Sequence, residues 1–394
     1  MRIFKDELTR ELKENILPFW MREMADAGTE GFIGRIDGSG KAVPDAERGA
    51  ILNARILWTF SSAWRIFKDR SYLETAGKAY RYVTEHFIDR EYGGVYWSVN
   101  PDGSVKDTRK QFYAIAFTIY ALAEYYRATG HKDSLDRAVL LFRSIEDHSL
   151  DLECYGYLEA CSRDWGEIDD MRLSDKDQND AKTMNTHLHI LEAYTALYRV
   201  WKDDSAAMAL RGVIDIFLER IICPDGHLGL FFNERWEPSS TMVSYGHDIE
   251  ASWLLCEAAD VLGDEALAVR VREVSGRIAT AALEGFTPEG GMEYEYDPST
   301  GTRNSSRDWW VQAETVVGCI NRFQLTGDDR WMERALAQWD FIRKHIICPD
   351  GEWYWSALPT EKGFVANTVD DRAGFWKCPY HNGRMCMEII ERVF

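Results

Sequence analysis

The chain has no Cys-x-x-Cys pair, no run of about twenty apolar residues, no secretory leader pattern at its start and a shortage of positive charge. Each lack closes off a class. The eight cysteines (154, 161, 223, 256, 319, 348, 378 and 386) are scattered. Several sit in apolar runs such as Ile221-Ile222-Cys223 and Ile346-Ile347-Cys348, the setting of small buried hydrophobes rather than of a disulfide framework. A reducing, cytoplasmic setting is expected, with no membrane partner. Lys and Arg total 46 against 65 Asp and Glu, a formal net charge of −19. That balance repels nucleic acid and anionic lipid and favours a neutral or cationic ligand. Zinc sites often use His-x-x-x-His on one helix, and no such spacing occurs. His187 and His189 are two apart and face different ways, while His189, His247 and His381 belong to three separate segments, so no metal is expected.

What is present is apolar and aromatic. Of 394 residues 45% are hydrophobic, enough for a large core, and fifteen are tryptophan. Flat aromatic faces serve packing, and they also serve the apolar side of a pyranose.

Two kinds of punctuation alternate along the chain. One is long, Gly-rich and aromatic, as in Tyr92-Gly93-Gly94-Val95-Tyr96-Trp97, Pro288-Glu289-Gly290-Gly291-Met292 and Pro349-Asp350-Gly351-Glu352-Trp353, and suggests a turn into a short hairpin. The other is tight and polar, as in Lys68-Asp69-Arg70-Ser71 and Gly327-Asp328-Asp329. Between the breaks, apolar residues recur at helical spacing, for example Leu73, Ala76, Ala79, Tyr80 and Val83. The spacing predicts twelve helices, near 5–26, 47–68, 71–88, 108–130, 132–149, 181–202, 204–222, 246–262, 264–284, 307–327, 329–347 and 379–393.

Corresponding features return every 60 to 73 residues, a helical-hairpin repeat. An open solenoid needs polar capping faces at its ends. The last helix carries aromatics, His381 and Arg384 instead, which favours closure. The expected fold is therefore all-α, an (α/α)6 toroid forming one domain over residues 1–394. Even-numbered helices lie inside, and short β-hairpin loops form a cup over their N-terminal ends.

Polar and aromatic residues collect near those ends: Arg55, Tyr113, Asn185 with His189, His247 with Glu250, Trp309 and Trp310 with Glu314, and His381 with Arg384. A closed ring brings them to one pocket, where helix N-termini suit a developing oxyanion. Paired carboxylates such as Glu250 and Glu314 would suit an inverting glycoside hydrolase. Paired histidines instead suggest proton transfer at carbon near neutral pH, where an ordinary imidazole pKa of about 6.5 keeps both forms available.

Six runs, in order along the chain, carry a resemblance. They are Arg55-Ile56-Leu57-Trp58, the Tyr92–Trp97 run, Lys182–Tyr194, Ser244–Trp253, Trp309–Glu314 and Trp376–Glu388. The chain resembles the N-acylglucosamine 2-epimerase superfamily, and within it the branch that acts on β-1,4-linked disaccharides. The resemblance implies an (α/α)6 barrel and an isomerase that inverts C2 of a reducing-end sugar, in cellobiose or lactose, with no cofactor. It implies His247 and His381 as the acid/base pair on C2 and His189 in ring opening. Arg55, Tyr113, Asn185, Glu250, Trp310 and Trp376 would touch sugar, and Trp309 and Glu314 are expected to bind substrate with them. An aldose–ketose isomerase and an N-acylglucosamine epimerase acting on a monosaccharide remain as alternatives. A monomer or weak dimer is expected.

Overall fold

The computed structural model describes residues 2–26 and 28–392; the last residue of the helix expected at 379–393 lies outside them. The helices are α1 (2–22, with a π-turn at Glu11–Ile16), α2 (Ala50–Phe67), α3 (70–87, ending in a π-turn), α4 (Phe112–Thr129), α5 (Lys132–His148) and α6 (Met184–Val200). They continue as α7 (204–221, ending in a π-turn), α8 (Tyr245–Leu262), α9 (265–285, ending in a 3-10 turn), α10 (Trp309–Thr326), α11 (Asp329–His345) and α12 (Tyr380–Arg392).

Each even helix packs on the next even helix, and α12 packs on α2, which closes the inner ring. Each odd helix from α3 to α11 packs on the even helix before it, and α1 packs on α12. The chain termini therefore complete the same pair. Two tryptophans and a glutamate of the last outer helix and its loop anchor α1: Trp339 Nε1 donates to Glu7 at 2.8 Å, Trp353 Nε1 to Glu11 at 2.8 Å, and Glu352 accepts from Trp20 Nε1 of α1 at 2.5 Å while its backbone N–H donates to Asn15.

Position in the ring explains helix composition. Inner helices are covered on every side, so Ala50 to Ala63 of α2 are all buried, polar Asn53, Thr59, Ser61 and Ser62 included. Their hydroxyls return to the carbonyl four residues back, as Thr59 and Ser61 do, which satisfies them inside an apolar ring. Outer helices show the one-sided burial that helical periodicity detects, such as Ala138, Leu141, Phe142 and Ile145 on α5. Their starts are capped by aspartates 69, 203, 264 and 328.

Inner helices α2, α4, α6 and α10 begin two to four residues later than the sequence predicts. A two-residue strand precedes each: Arg48–Gly49, Lys110–Gln111, Lys182–Thr183 and Arg307–Asp308. Each pairs antiparallel with the loop of the following repeat, and an Ile36–Ala373 bridge joins the sixth loop to the first. The rim is thus stitched around the same circle as the helices.

The stitch carries a buried cation that periodicity does not reveal. Lys110 pairs with Asp89 at 2.8 Å and Lys377 with Glu352 at 2.7 Å, both pairs wholly buried. Lys182 holds Asp151 at 2.7 Å and Arg48 holds Asp26 at 2.5 Å. The backbone carbonyls of Tyr155 and Glu234 complete the hydrogen bonding of Lys182, as a buried ammonium requires.

All eight cysteines are free. Among the described residues no helix is long and apolar enough to cross a membrane.

Candidate active site

The expected residues do converge. Asn185, His247, Trp309, Trp310 and His381 occupy first helical turns, where side chains stand at the rim side of the ring, and Tyr113 does the same on α4. Arg55 is one turn deeper on α2. Its Nη2 donates to Tyr113 Oη at 2.9 Å and its Nη1 to the Trp376 carbonyl at 3.4 Å, with the guanidinium 4.1 Å above the Phe117 ring. Tyr113 in turn touches the rings of His189 (centroids 4.8 Å apart) and Trp376 (6.0 Å).

His247 and His381 share one neighbour, the indole of Trp310, at 4.7 Å and 5.6 Å between ring centroids. Gly246 makes that fit. A Cβ there would lie 2.6 Å from the Trp310 ring, so only glycine lets the indole approach the start of α8.

Each histidine is held at Nδ1. His381 Nδ1 lies 2.7 Å from Glu314 Oε1, His189 Nδ1 lies 3.0 Å from Glu192 Oε2, and His247 Nδ1 lies 2.8 Å from Ser244 Oγ. A carboxylate only accepts, so His381 and His189 carry their proton on Nδ1 and present Nε2 as the free lone pair. Burial holds all three below the ordinary imidazole pKa. His247 is pushed down to about 3 by burial and then by the His189 charge. His381 is pushed well down by burial, then by Arg55 and Arg384. For His189 burial lowers the pKa against the opposing pull of Glu192.

Below this layer Arg384 gathers the acids. Its Nη2 lies 2.6 Å from Glu250 and 2.7 Å from Glu314, and its Nη1 binds Glu192 and Tyr380 Oη. Burial pushes Glu192 up, but the Arg384 charge and the bond from His189 outweigh it and hold the carboxylate at about 2. Glu250 moves the other way: burial and the neighbouring Glu314 charge raise it. One oxygen of Glu250 has no partner among the described residues.

Glu250, Glu314 and His381 offer ligand atoms within 4.8 Å of one another. Metal ligation would compete with what is already there, since one guanidinium binds both carboxylates and His381 Nδ1 is committed to Glu314. The same clamp argues against a hydrolytic pair. An inverting pair stands about 6.5–9.5 Å apart on opposite sides of the scissile bond, whereas these two share one nitrogen.

Two expected sugar contacts sit elsewhere than foreseen. Glu314 is fully buried between His381, Arg384 and Trp253 Nε1, a support for the histidine rather than a surface for sugar. Trp309 is 3% exposed, edge-on to Trp355 at 4.8 Å with Lys377 over its ring. Trp376 is half-buried, and Asn185 Oδ1 is an acceptor without a partner among the described residues. His187, two residues from His189, does face away: its Nδ1 meets the Thr183 carbonyl at 2.6 Å, and its Nε2 accepts from Tyr157 N at 2.9 Å. Glu192, Tyr380 and Arg384 form the floor of the site. The only trace of that role in sequence is polar residues on the inner stripes of α6 and α12.

A cavity of about 260 Å³ also lies at the opposite end of the ring, lined by Arg65, Arg127, Glu124, Glu257 and Glu388 among others. It contains none of the three histidines.

The comparisons agree with this fold. A cellobiose 2-epimerase of Bacteroides fragilis is 52% identical over 390 residues, covering 98% of this chain and 99% of that one. One from Ruminococcus albus is 40% identical over 98% of each. The solved structure of cellobiose 2-epimerase from Bacillus thermoamylovorans B4167 superimposes with a TM-score of 0.95 at 39% identity, covering all of both chains. The family model described as N-acylglucosamine 2-epimerase matches residues 31–381, and the chain belongs to that family.

Proposed function

We propose that this chain inverts C2 at the reducing end of β-1,4-linked disaccharides, converting cellobiose to glucosyl-mannose and, by the same chemistry, lactose to epilactose. The observation that carries the reading is the pair His247 and His381, from opposite parts of the chain, set against one indole with Nδ1 of each anchored. The activity named for the relatives above supports the substrate class.

The chemistry begins with the closed pyranose. His189, backed by Glu192, exchanges a proton with the ring oxygen or the anomeric hydroxyl, which opens the ring to the aldehyde. C2–H is then α to a carbonyl. A neutral imidazole removes it, and the electron pair moves into a cis-enediolate with charge on O1 and O2. Arg55 and the N-terminal ends of the inner helices oppose that charge where water is scarce. The second histidine, whose charged form the enediolate's negative charge favours against the burial that otherwise holds it neutral, returns a proton from the other face, and C2 is inverted. One histidine gains the proton the other gives up, so the pair exchanges roles in the reverse direction. A positioned proton transfer of this kind supplies about 10²–10⁴ in rate. Trp310 and Trp376 would give the sugar its apolar platforms.

Incubation with cellobiose in D₂O tests the reading. Glucosyl-mannose carrying deuterium at C2 is the expected product. A fructosyl product would mean that the proton returns to C1 and the chain is an aldose–ketose isomerase, and free glucose would mean hydrolysis.

A further inference from the structure

Ser244 occupies the N-cap position of α8, with extended backbone (φ −114°, ψ 100°). A serine there ordinarily accepts a hydrogen bond from a backbone N–H of the first turn. Ser244 makes no such bond. Thr183, at the equivalent position before α6, does: its Oγ1 accepts from Thr186 N at 3.1 Å. The hydroxyl of Ser244 is instead bound to His247 Nδ1 at 2.8 Å, its sole hydrogen-bond partner among the described residues, and the serine is 1% exposed. The helix forgoes its cap, and the side chain that would supply it is spent on the imidazole.

We propose that Ser244 is a positioning residue for His247, anchoring Nδ1 so that Nε2 exchanges the proton with C2. This rests on the two-histidine reading above. A hydroxyl differs from the carboxylate behind His381 in two ways. It accepts from Nδ1–H in the neutral ring and in the imidazolium alike, which leaves Nε2 as the nitrogen that takes and gives the C2 proton, but because a hydroxyl can also donate it fixes that tautomer less firmly than a carboxylate does. It is also neutral, so it gives the imidazolium none of the charge stabilisation that Glu314 gives His381. The pair is therefore built unequal: a carboxylate-backed base on α12 faces a hydroxyl-backed one on α8.

The test uses Ser244→Ala and Ser244→Thr in the full chain, with cellobiose and glucosyl-mannose each deuterated at C2. Removing the hydroxyl slows the proton transfer at His247 alone. We expect kcat to fall about 10–100-fold, part of the rate a positioned proton transfer supplies. The primary isotope effect on kcat/KM should rise for the epimer whose C2 proton goes to His247 and fall towards unity for the other. Threonine, which keeps the hydroxyl and fits the backbone found at Thr183, should restore both. The proposal is overturned if Ser244→Ala shows wild-type isotope effects, if the two effects move together, or if Ser244→Thr is as impaired as alanine. Wild-type protein that exchanges no C2 proton would sink the two-histidine reading itself, which separates the two failures.

Discussion

Nδ1 of His381 and Oε1 of Glu314 are 2.7 Å apart, and the same carboxylate oxygen lies 2.7 Å from Arg384 Nη2. One oxygen thus joins the proposed base to the buried clamp that unites α6, α8, α10 and α12. Glu314→Gln keeps an acceptor of the same shape and removes the charge. The imidazolium then loses its counter-charge, and with the amide oxygen kept towards His381 the NH2 faces Trp253 Nε1, which forgoes its acceptor. We expect kcat to drop about 10²-fold with KM changed little, since a charge-assisted hydrogen bond is roughly twice as strong as a neutral one and here acts on the transferring group. Steady-state kinetics beside an unchanged circular dichroism spectrum check this, and wild-type kcat would contradict it.

Arg384 answers for three carboxylates at once, and all of them are buried. Replacing it by Met fills similar space and leaves Glu192, Glu250 and Glu314 without their cation. Removing one partner from a buried ion pair typically costs about 3–5 kcal/mol. Urea unfolding should show a loss of that size, with the carboxylates taking up protons on folding, so that the variant's stability rises as pH is lowered towards 5. A loss below about 1 kcal/mol would mean that the clamp is not structural.

His187 is the site's quiet neighbour, held neutral because Nε2 accepts from Tyr157 N while Nδ1 meets the Thr183 carbonyl. Burial pushes its pKa to about 4. The unfolded chain, at about 6.5, binds the proton first, so this residue's contribution weakens as pH falls from 6.5 towards 4 and then levels off. At pH 5 the difference amounts to roughly 2 kcal/mol. His187→Gln removes the titration, so its stability should fall less than the wild type's between pH 7 and pH 5. Equal losses by urea unfolding would contradict the assignment.

Gly246 is required by proximity, not by a left-handed backbone. In Gly246→Ala the new methyl meets the Trp310 ring at 2.6 Å, and either the indole or the first turn of α8 must move. Both proposed acid/base residues rest against that indole. Activity should fall about tenfold or more, because small misplacements at a reacting centre are costly. Tryptophan fluorescence should shift with it. Full activity in the alanine variant would show that Trp310 does not set the histidine geometry.

Much of the ring was legible because outer helices are half-buried, and half-burial is what periodicity reports. Inner helices are covered all round, so their phase is weak, and the apolar spacing places the starts of α2, α4, α6 and α10 too early. The extended dipeptides ahead of them, such as Lys110–Gln111, continue the same buried composition and give no break to read. Among site residues, Asn185, His189, His247 and His381 stood out as polar groups in apolar helical runs. Glu314 stood out for the same reason, yet its role could not be read, because whether a carboxylate faces sugar or a histidine depends on contacts between helices far apart in sequence. Arg384 and Glu192 illustrate this too: 192 positions separate them, and only ring closure makes them one unit. Ser244 carries no signal of its role in sequence, because only the folded chain brings its hydroxyl to the imidazole and not to a backbone N–H.

The central claim is that His247 and His381 serve opposite faces of C2. The most direct measurement is solvent deuterium exchange at C2 in His247→Asn and His381→Asn, starting separately from cellobiose and from glucosyl-mannose. Two bases on two faces predict that neither variant inverts C2. Each should still wash deuterium into one epimer without inversion, and the two variants should favour opposite epimers. Inversion by either variant, or exchange of the same epimer by both, would contradict it.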